Sequence, residues 1–568
     1  MPEQDKSHSI PALLLNQARR WPDRPMLRYW RDGGWRRMRW AEFALQVAAV
    51  AAGLRSHGVA PGDRVLLLAE NRPEFLIADT ALMAIGAVTV PAYTTGTVAD
   101  HGHILRDAGA RCAIVSTARL AASLREAAGA GGLDLMVTME PVEEAVDWSD
   151  LAAAGGDLAM LAAEVDHIPD GRLACLMYTS GTGGPPKGVM LPHRAMLANR
   201  RGIESFIRRL NLPEDGCYLS FLPLSHAYEH TVGYLLCSFG IELVFSRGAE
   251  RLAAELTEIR PHIVTAVPRL FEVLRARILA AAEKQPPRQR MLFEAALRLG
   301  LRRLDGPALG LWERLQDAVL DRLVRRRIRG RFGGRMMALV SGGARLDPDL
   351  SGFFLALGLP VLQGYGQTEA GPVVSVNLPW DNDRHSVGRP LPGVTLRIAE
   401  DGEVLVQGPL VMDGYWGNAQ ATAQALRPDT PEGPPWLHTG DTGRLEGGRL
   451  YITDRKRDFI KTAGGEMISP ARIESLLMAE PEIQHAVVAG EGRPGIVALI
   501  VPAEKVPEKA VEQAVGRVNR RLGGPERIRR FATVEPFRVE DGLLTPTMKI
   551  KRRAVLQARE ELIANLYR

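Results

Sequence analysis

Between Tyr178 and Met190 the chain reads Y-T-S-G-T-G-G-P-P-K-G-V-M, with hydroxyls and glycines first and one lysine behind two prolines. A core has little use for such a segment. Glycines at Gly181 and Gly184 let backbone N–H groups approach a ligand and accept positive φ. Successive N–H groups in such a loop form an anion-binding concavity, to which Thr179, Ser180 and Thr182 add hydroxyl donors. Lys187 supplies a mobile point charge for a phosphate oxygen. The chemistry is that of a triphosphate cradle. It is not the P-loop pattern, which has Gly before the Lys and Ser or Thr after it; here Pro186 precedes Lys187 and Gly188 follows. The apolar run Leu173–Tyr178 predicts a buried strand delivering the loop from a sheet.

Two further segments carry nucleotide chemistry. Gly364-Tyr365-Gly366-Gln367-Thr368-Glu369 follows a short apolar run, Leu359–Leu362. Tyr365 offers a flat face for a base and Thr368 a hydroxyl for a phosphate. Glu369 is a hard oxygen ligand suited to Mg²⁺, which takes one or two carboxylates together with substrate phosphates. In His438-Thr439-Gly440-Asp441, an Asp behind a tight turn can accept from both hydroxyls of a ribose, as acidic residues do in dinucleotide sites.

With these segments in hand the sequence resembles the adenylate-forming superfamily of acyl-CoA synthetases, peptide-synthetase adenylation domains and luciferases, over essentially its whole length. Tyr178–Val189 is similar to that family's phosphate-binding signature, departing at Gly183, where a second threonine is usual and one hydroxyl donor is therefore missing. The resemblance implies ATP binding by the loop residues, by Gly343 and Ala344 of Ser341-Gly342-Gly343-Ala344, by Gly364, Tyr365, Gly366 and Thr368, by Asp441 and by Arg455. It implies Mg²⁺ held by Thr182 and Glu369, and Lys187 on the departing pyrophosphate. His226, in F-L-P-L-S-H-A-Y-E-H, matches a residue near the reacting carboxylate, here expected to position and gate substrate. In Tyr451–Asp458, Arg457 and Asp458 match the inter-domain pivot. Gly464-Gly465-Glu466 matches a segment facing the CoA thiol, and Lys549, in L-T-P-T-M-K-I-K-R, matches the catalytic lysine.

The implied fold is α/β. A large N-terminal domain (1–454) is expected to contain layered α/β subdomains and a β-barrel-like one, with a helical insertion at about 275–335. A hinge (455–458) and a small mobile α+β domain (459–568) follow. The implied reaction joins a carboxylate to ATP, giving acyl-adenylate and pyrophosphate, then transfers the acyl group to CoA. P-L-S-H-A-Y-E, V-P-R-L-F-E (Val267–Glu272) and the insertion look most like long-chain fatty acyl-CoA synthetases. Delivery to a carrier protein, or a non-catalytic nucleotide-binding or membrane-scaffold relative, are the alternatives. Lys187, Glu369, Asp441, Arg455 and Lys549 are all present, which argues against the last.

The elements that must position these residues are legible in the periodicity. Ile10–Met38 predicts a helix and a hairpin turning at Asp32-Gly33-Gly34, and Trp40–His57 a helix ending at Gly58. Arg64–Ala69 and Ala87–Pro91 read as strands separated by a helix over Glu74–Ile85, an alternation that argues for a parallel sheet. Ala121–Ala163, rich in Ala and Gly, gives weak signals and is expected to wrap the first subdomain.

At 568 residues two or three domains are expected. Hydrophobic content of 46% and charged content of 24% are those of an ordinary globular protein, and no 18-residue apolar run occurs. Cys112, Cys175, Cys217 and Cys237 form no C-x-x-C pair, so neither a metal cluster nor a disulfide framework is indicated. With no signal-peptide pattern, a reducing cytoplasm is expected. Net charge is +5, yet residues 283–335 hold 14 Lys/Arg against 6 Asp/Glu, an excess larger than that of the whole chain. Leu311, Leu315, Leu320, Leu323 and Val324 lie close to helical spacing there. A solvated helical face is one reading, and peripheral contact with an anionic membrane at the inner face of the cell is the other. Aromatic stacking residues are sparse, so nucleic acid is not expected as a partner.

Overall fold

The computed structural model describes residues 7–179, 185–456, 459–545 and 549–568. Two large sheets form the first part of the molecule. One has seven strands, ordered Val146–Asp147, Leu135–Thr138, Cys112–Val115, Arg64–Leu68, Val88–Pro91, Leu173–Thr179 and Lys187–Pro192. All neighbours run parallel except the last two, which form a hairpin with Thr179 opposite Lys187. The central strands are buried along most of their length, as expected of a parallel sheet covered on both faces.

The second sheet has nine strands. Its parallel centre runs from Val361–Gly366 through Ala338–Ser341, Ile263–Ala266 and Cys217–Ser220 to Glu242–Phe245, with antiparallel strands at both edges. The N-terminal hairpin, Pro25–Arg31 with Gly34–Arg39, forms one edge; Asp32 (φ 52°) and Gly33 (φ 74°) supply the left-handed turn the sequence predicts. The helices Ile10–Arg20, Trp40–Ser56 and Pro73–Ala84 also fall where the periodicity places them.

Two expectations change. Ala121–Ala163 contributes two strands to the edge of the seven-stranded sheet and two short helices, so it extends the sheet as well as covering it. The β-barrel-like subdomain is, among the described residues, an open antiparallel sheet of five strands: Thr395–Ile398, Glu403–Gln407, Trp436–Glu446, Leu426–Arg427 and Arg449–Arg455. The helical insertion expected at about 275–335 lies in the crossover between the adjacent parallel strands Ile263–Ala266 and Ala338–Ser341. It comprises helices Pro268–Glu283, Pro287–Asp305 and Leu311–Leu320, a π turn at Asp321–Arg325 and a last helix, Arg326–Arg331.

Beyond Arg455 the chain builds a second set of elements with two apolar clusters of their own, one around Ile473, Ile496 and Val511, the other around Leu499, Phe537 and Leu544. A three-stranded sheet (Ile483–Ala489, Ile496–Pro502, Ile528–Thr533) is flanked by helices Pro470–Met478 and Glu508–Asn519. This part touches the preceding elements at few polar points: Arg269 donates to the Gln484 carbonyl (3.5 Å), Arg521 pairs with Asp349 (3.1 Å), and the Ser469 hydroxyl donates to Asp454.

Candidate active site

The hairpin at the end of the seven-stranded sheet carries the glycine-rich loop. Ser180, Gly181, Thr182, Gly183 and Gly184 lie outside the described residues, but both ends of the loop are fixed. The Tyr178 hydroxyl donates to Asp107 Oδ2 (2.7 Å), and His103 Nε2 lies 2.7 Å from the Pro186 carbonyl. Gly188 packs tightly on this tyrosine: a Cβ there would sit 3.0 Å from the Tyr178 ring.

Lys187 opens the returning strand, and its Nζ lies 4.9 Å from the centroid of the Tyr415 ring. Tyr415 is held there by backbone pairing. Met190 N–H donates to the Gly414 carbonyl (2.9 Å), and Trp416 N–H to that of Gly188 (2.8 Å). The Tyr415 hydroxyl in turn donates to Glu369 Oε1 (2.9 Å). One aromatic side chain thus joins the lysine of the first loop to the carboxylate of the second. The sequence reading missed it; a Gly-Tyr pair at Gly414-Tyr415, just beyond an apolar run, was the available signal.

Gly364–Gly366 forms the end of the strand Val361–Gly366, paired with Val373–Val376. A Cβ on Gly366 would fall 1.8 Å from the Pro372 carbonyl oxygen, so the strand can pair this closely only with glycine. Thr368 and Glu369 follow in a single 3₁₀ turn. Asp441, expected behind a tight turn, lies within the eleven-residue strand Trp436–Glu446, distorted at Gly440 (φ 72°). It accepts from the Tyr365 hydroxyl (2.7 Å) and pairs with Arg455 Nε (3.2 Å), which stands directly opposite on the neighbouring strand. Burial holds the Asp441 carboxyl above its ordinary value, although Arg455 and Tyr365 both pull it down.

Lys549 reaches this cluster from the far end of the chain. Its loop is closed by Thr545 N–H donating to the Lys549 carbonyl (2.7 Å) and Lys549 N–H donating to Thr545 Oγ1 (3.0 Å). Its ammonium comes so close to Gly343 (φ 78°) that a Cβ there would stand 3.7 Å from Nζ. Burial, reinforced by Arg455, pushes the lysine down to about 8, with Asp441 opposing. Ala344, next along the same loop, is exposed.

His226 caps the helix Ala227–Ser238, where Tyr228 N–H donates to its Nδ1 (3.2 Å). Burial, and then Lys549, depress it to about 3, so it is neutral near pH 7. A neutral imidazole whose Nδ1 accepts carries its proton on Nε2. Behind it lies a carboxylate the sequence reading quoted but did not assign. Glu229 is fully buried and accepts from Tyr218 (2.5 Å), Thr265 (2.8 Å) and Ser220 hydroxyls; burial pushes it up to about 7. It ties the His226 helix to the underlying strands.

Arg457 and Asp458 lie outside the described residues. Gly464, Gly465 and Glu466 form the exposed tip of a small hairpin, closed by Gly465 N–H donating to Thr462 O (2.9 Å) and Thr462 N–H to Glu466 O (3.0 Å). Lys549 therefore faces Gly343, while Gly464–Glu466 face solvent.

Residues 14–416 match the family model described as AMP-binding enzyme, and residues 457–568 that of its C-terminal domain. This chain belongs to the AMP-binding enzyme family. Within it the chain is 33% identical to the long-chain-fatty-acid–CoA ligase FadD15 of Mycobacterium tuberculosis, over 97% of this chain and 95% of that protein. It is 30% identical to human long-chain-fatty-acid–CoA ligase 6, over 93% and 82%. Among solved structures it shares the fold of an anthranilate CoA ligase bound to anthranoyl-AMP (TM-score 0.74, 22% identity, 99% of both chains). It also shares that of ATP-bound MatB from Rhodopseudomonas palustris (TM-score 0.73, 21% identity, 98% and 99%). The adenylate-forming architecture, with its separate small C-terminal domain, is therefore the fold of this chain.

Proposed function

We propose that this AMP-binding enzyme is an ATP-dependent long-chain fatty acid–CoA ligase. The observation that carries the reading is the convergence of Lys549, Gly343, Asp441 and Arg455, drawn from separate segments of the second half of the chain, beside a neutral His226. The likeness to fatty-acid ligases over nearly the whole length supports the substrate class.

A carboxylate is already a nucleophile, but a polyanionic triphosphate repels it. Holding it in line with the α-phosphorus and balancing the charge therefore supply most of the catalysis. In our reading Thr179, Ser180, Gly181, Thr182 and Gly184 cradle the phosphates, and Lys187 meets the leaving pyrophosphate. Gly364, Tyr365, Gly366 and Thr368 border the base and α-phosphate, Asp441 accepts from the ribose, and Arg455 sets its orientation. The carboxylate oxygen bonds to the α-phosphorus as the bond to pyrophosphate breaks. Lys549 bridges the two reacting groups, where a low-dielectric position strengthens its effect. The nearby triphosphate would restore its proton, since an adjacent negative charge favours the charged form. His226 positions and gates the acid, because a group that protonates only near pH 3 is a poor proton donor at neutral pH.

Glu369 fits a Mg²⁺ role: it is a partly buried carboxylate whose Oε1 is oriented by Tyr415, and Thr182 would complete the set. No group of three or more His, Cys, Asp or Glu that could hold a metal occurs among the described residues, which suits an ion completed by substrate phosphates and water. Such an ion would supply charge neutralisation on the phosphates. In the second half-reaction the CoA thiol attacks the acyl carbon, AMP leaves and the thiol proton is released. The division into 1–454, a 455–458 hinge with Arg457 and Asp458 as pivot, and a mobile 459–568 would let Gly464–Glu466 replace Lys549 for this step. The separate apolar clusters and few polar bridges support that division. No helix among the described residues is long and apolar enough to cross a membrane. A cytoplasmic enzyme touching an anionic membrane through residues 283–335 completes the reading.

The test is CoA-dependent AMP formation from ATP across fatty acids of increasing length, with Lys549→Ala as control and Lys551→Ala as its near neighbour. Thioester formed best from medium-to-long acids, and lost only in Lys549→Ala, is expected. Adenylate without thioester would point to a carrier-protein acceptor. No turnover with any acid would defeat the ligase reading.

A further inference from the structure

Eight of the fourteen large apolar side chains that stand exposed among the described residues fall within residues 291–323. Five form one row. Leu311 (84% exposed), Leu315 (57%) and Val319 (48%) recur every four residues along the helix Leu311–Leu320. Trp312 (80%) flanks them and Leu323 (43%) continues the row into the π turn. The sequence pattern pointed elsewhere in part: Leu320 and Val324, which share the helical spacing, are turned towards the protein. The row is thus a helix face left outward while its neighbours fill the core.

The charges around this face are sorted. Every acid of this helix and its π turn is engaged by arginine: Glu313 by Arg302, Asp317 by Arg303 (3.0 Å) and buried Arg325 (2.7 Å), and Asp321 by Arg329 (2.7 Å). Arg322, Arg326 and Arg327 are exposed and form no ion pair with any described residue. An apolar row ending in unpaired arginines suits an anionic lipid surface. The side chains can enter the acyl boundary while guanidinium groups reach the phosphates, and tryptophan favours that interface. A second copy of the chain would suit it less, because a symmetric contact brings like arginine clusters together.

We propose that Leu311, Trp312, Leu315, Val319 and Leu323 insert shallowly into an anionic bilayer, with Arg322, Arg326 and Arg327 on its headgroups. This gives the membrane contact proposed above a defined face, and its use rests on the fatty-acid reading, since long-chain acids partition into bilayers. The face belongs to the crossover that leads into the strand Ala338–Ser341, beyond whose far end Gly343 faces Lys549.

Flotation of the full chain with phosphatidylcholine vesicles, with and without phosphatidylglycerol, tests this independently of turnover. Binding is expected only with phosphatidylglycerol. The double variant Trp312→Ser/Leu315→Ser should weaken it by more than about tenfold, and Arg322→Gln/Arg326→Gln by about tenfold with a flatter salt dependence. An unchanged thermal midpoint would certify folding, and if the serine pair misfolds the glutamine pair decides alone. Wild-type protein that ignores phosphatidylglycerol vesicles at low salt would overturn the proposal. So would variants that bind as tightly as wild type, or a wild-type dimer that the serine pair converts to monomer by sedimentation. Because flotation needs no activity, an inactive enzyme that still binds vesicles would sink the ligase reading and leave this one standing.

Discussion

The nucleotide cleft and the helical insertion handle charge in opposite ways. In the cleft, glycines remove side-chain bulk so that strands can approach closely, and the polar groups are drawn inward around one another: Tyr365 on Asp441, Asp441 on Arg455, Tyr415 on Glu369. Lys549 is pressed into this environment and loses proton affinity. In the insertion, arginines consume the acids, surplus cations point outward and apolar side chains are left beside them. The cleft holds charge ready for a ligand that brings more; the insertion offers a surface to something larger than a ligand. Perturbed proton affinity marks the first region, and apolar surface left in contact with water marks the second.

The largest effect that would sharpen this contrast is Lys549→Ala. Adenylation should fall by roughly 10²–10³-fold, while thioester formation from supplied acyl-adenylate persists; half-reaction assays separate the two. Equal loss in both half-reactions would break the assignment of Lys549 to the first. Next is Arg325→Met in the insertion. It removes the buried guanidinium that bonds the Ala296 carbonyl (2.8 Å) and Asp317, and should cost about 3 kcal/mol. Arg327→Gln, exposed, should stay within about 0.5 kcal/mol. Denaturant unfolding reads both, and similar losses would mean the insertion is not held by its buried arginine.

A third effect is pH-dependent. Lys549 must be charged to bridge two anions, and in the nucleotide-free enzyme it loses its proton as pH rises through about 8. The kcat/KM for adenylation should therefore decline above about pH 8, approaching tenfold per unit, whereas kcat, measured with the triphosphate bound, should decline at higher pH. Lys549→Arg should lose this alkaline limb even at a lower maximum. The smallest effect is expected for Tyr415→Phe, which keeps the ring under Lys187 and removes the hydroxyl from Glu369. Loss of one hydrogen bond to a carboxylate predicts about a 10-fold rise in KM for the Mg²⁺–ATP complex, with kcat less affected. A fall in kcat alone would assign Tyr415 to the chemical step instead.

Legibility followed locality. Hairpin Asp32-Gly33-Gly34, helix Trp40–Ser56 and strand Leu173–Thr179 were readable because turn chemistry and apolar period act within a few residues. Lys187, Tyr365, Glu369, Asp441, Arg455 and Lys549 were readable as types set in characteristic segments. The strands within Ala121–Ala163 were not, because short strands at a sheet edge are stabilised by the neighbour they pair with and not by their own pattern. The strand pairing of Gly364–Gly366 was hidden for a related reason: glycine there serves the close approach of Pro372, which lies in another strand's connection.

The sequence by itself determined the family, the α/β alternation and the identity of the charged groups in the cleft, since each is written in residues close together along the chain. Only the tertiary structure decided that Tyr415 links Lys187 to Glu369, that Glu229 lies buried behind His226, and that Leu320 turns inward while Leu311, Trp312 and Val319 turn out. Those are matters of which side of an element meets which neighbour. Burial and electrostatic coupling depend on distances between residues far apart in sequence, and no local pattern fixes them.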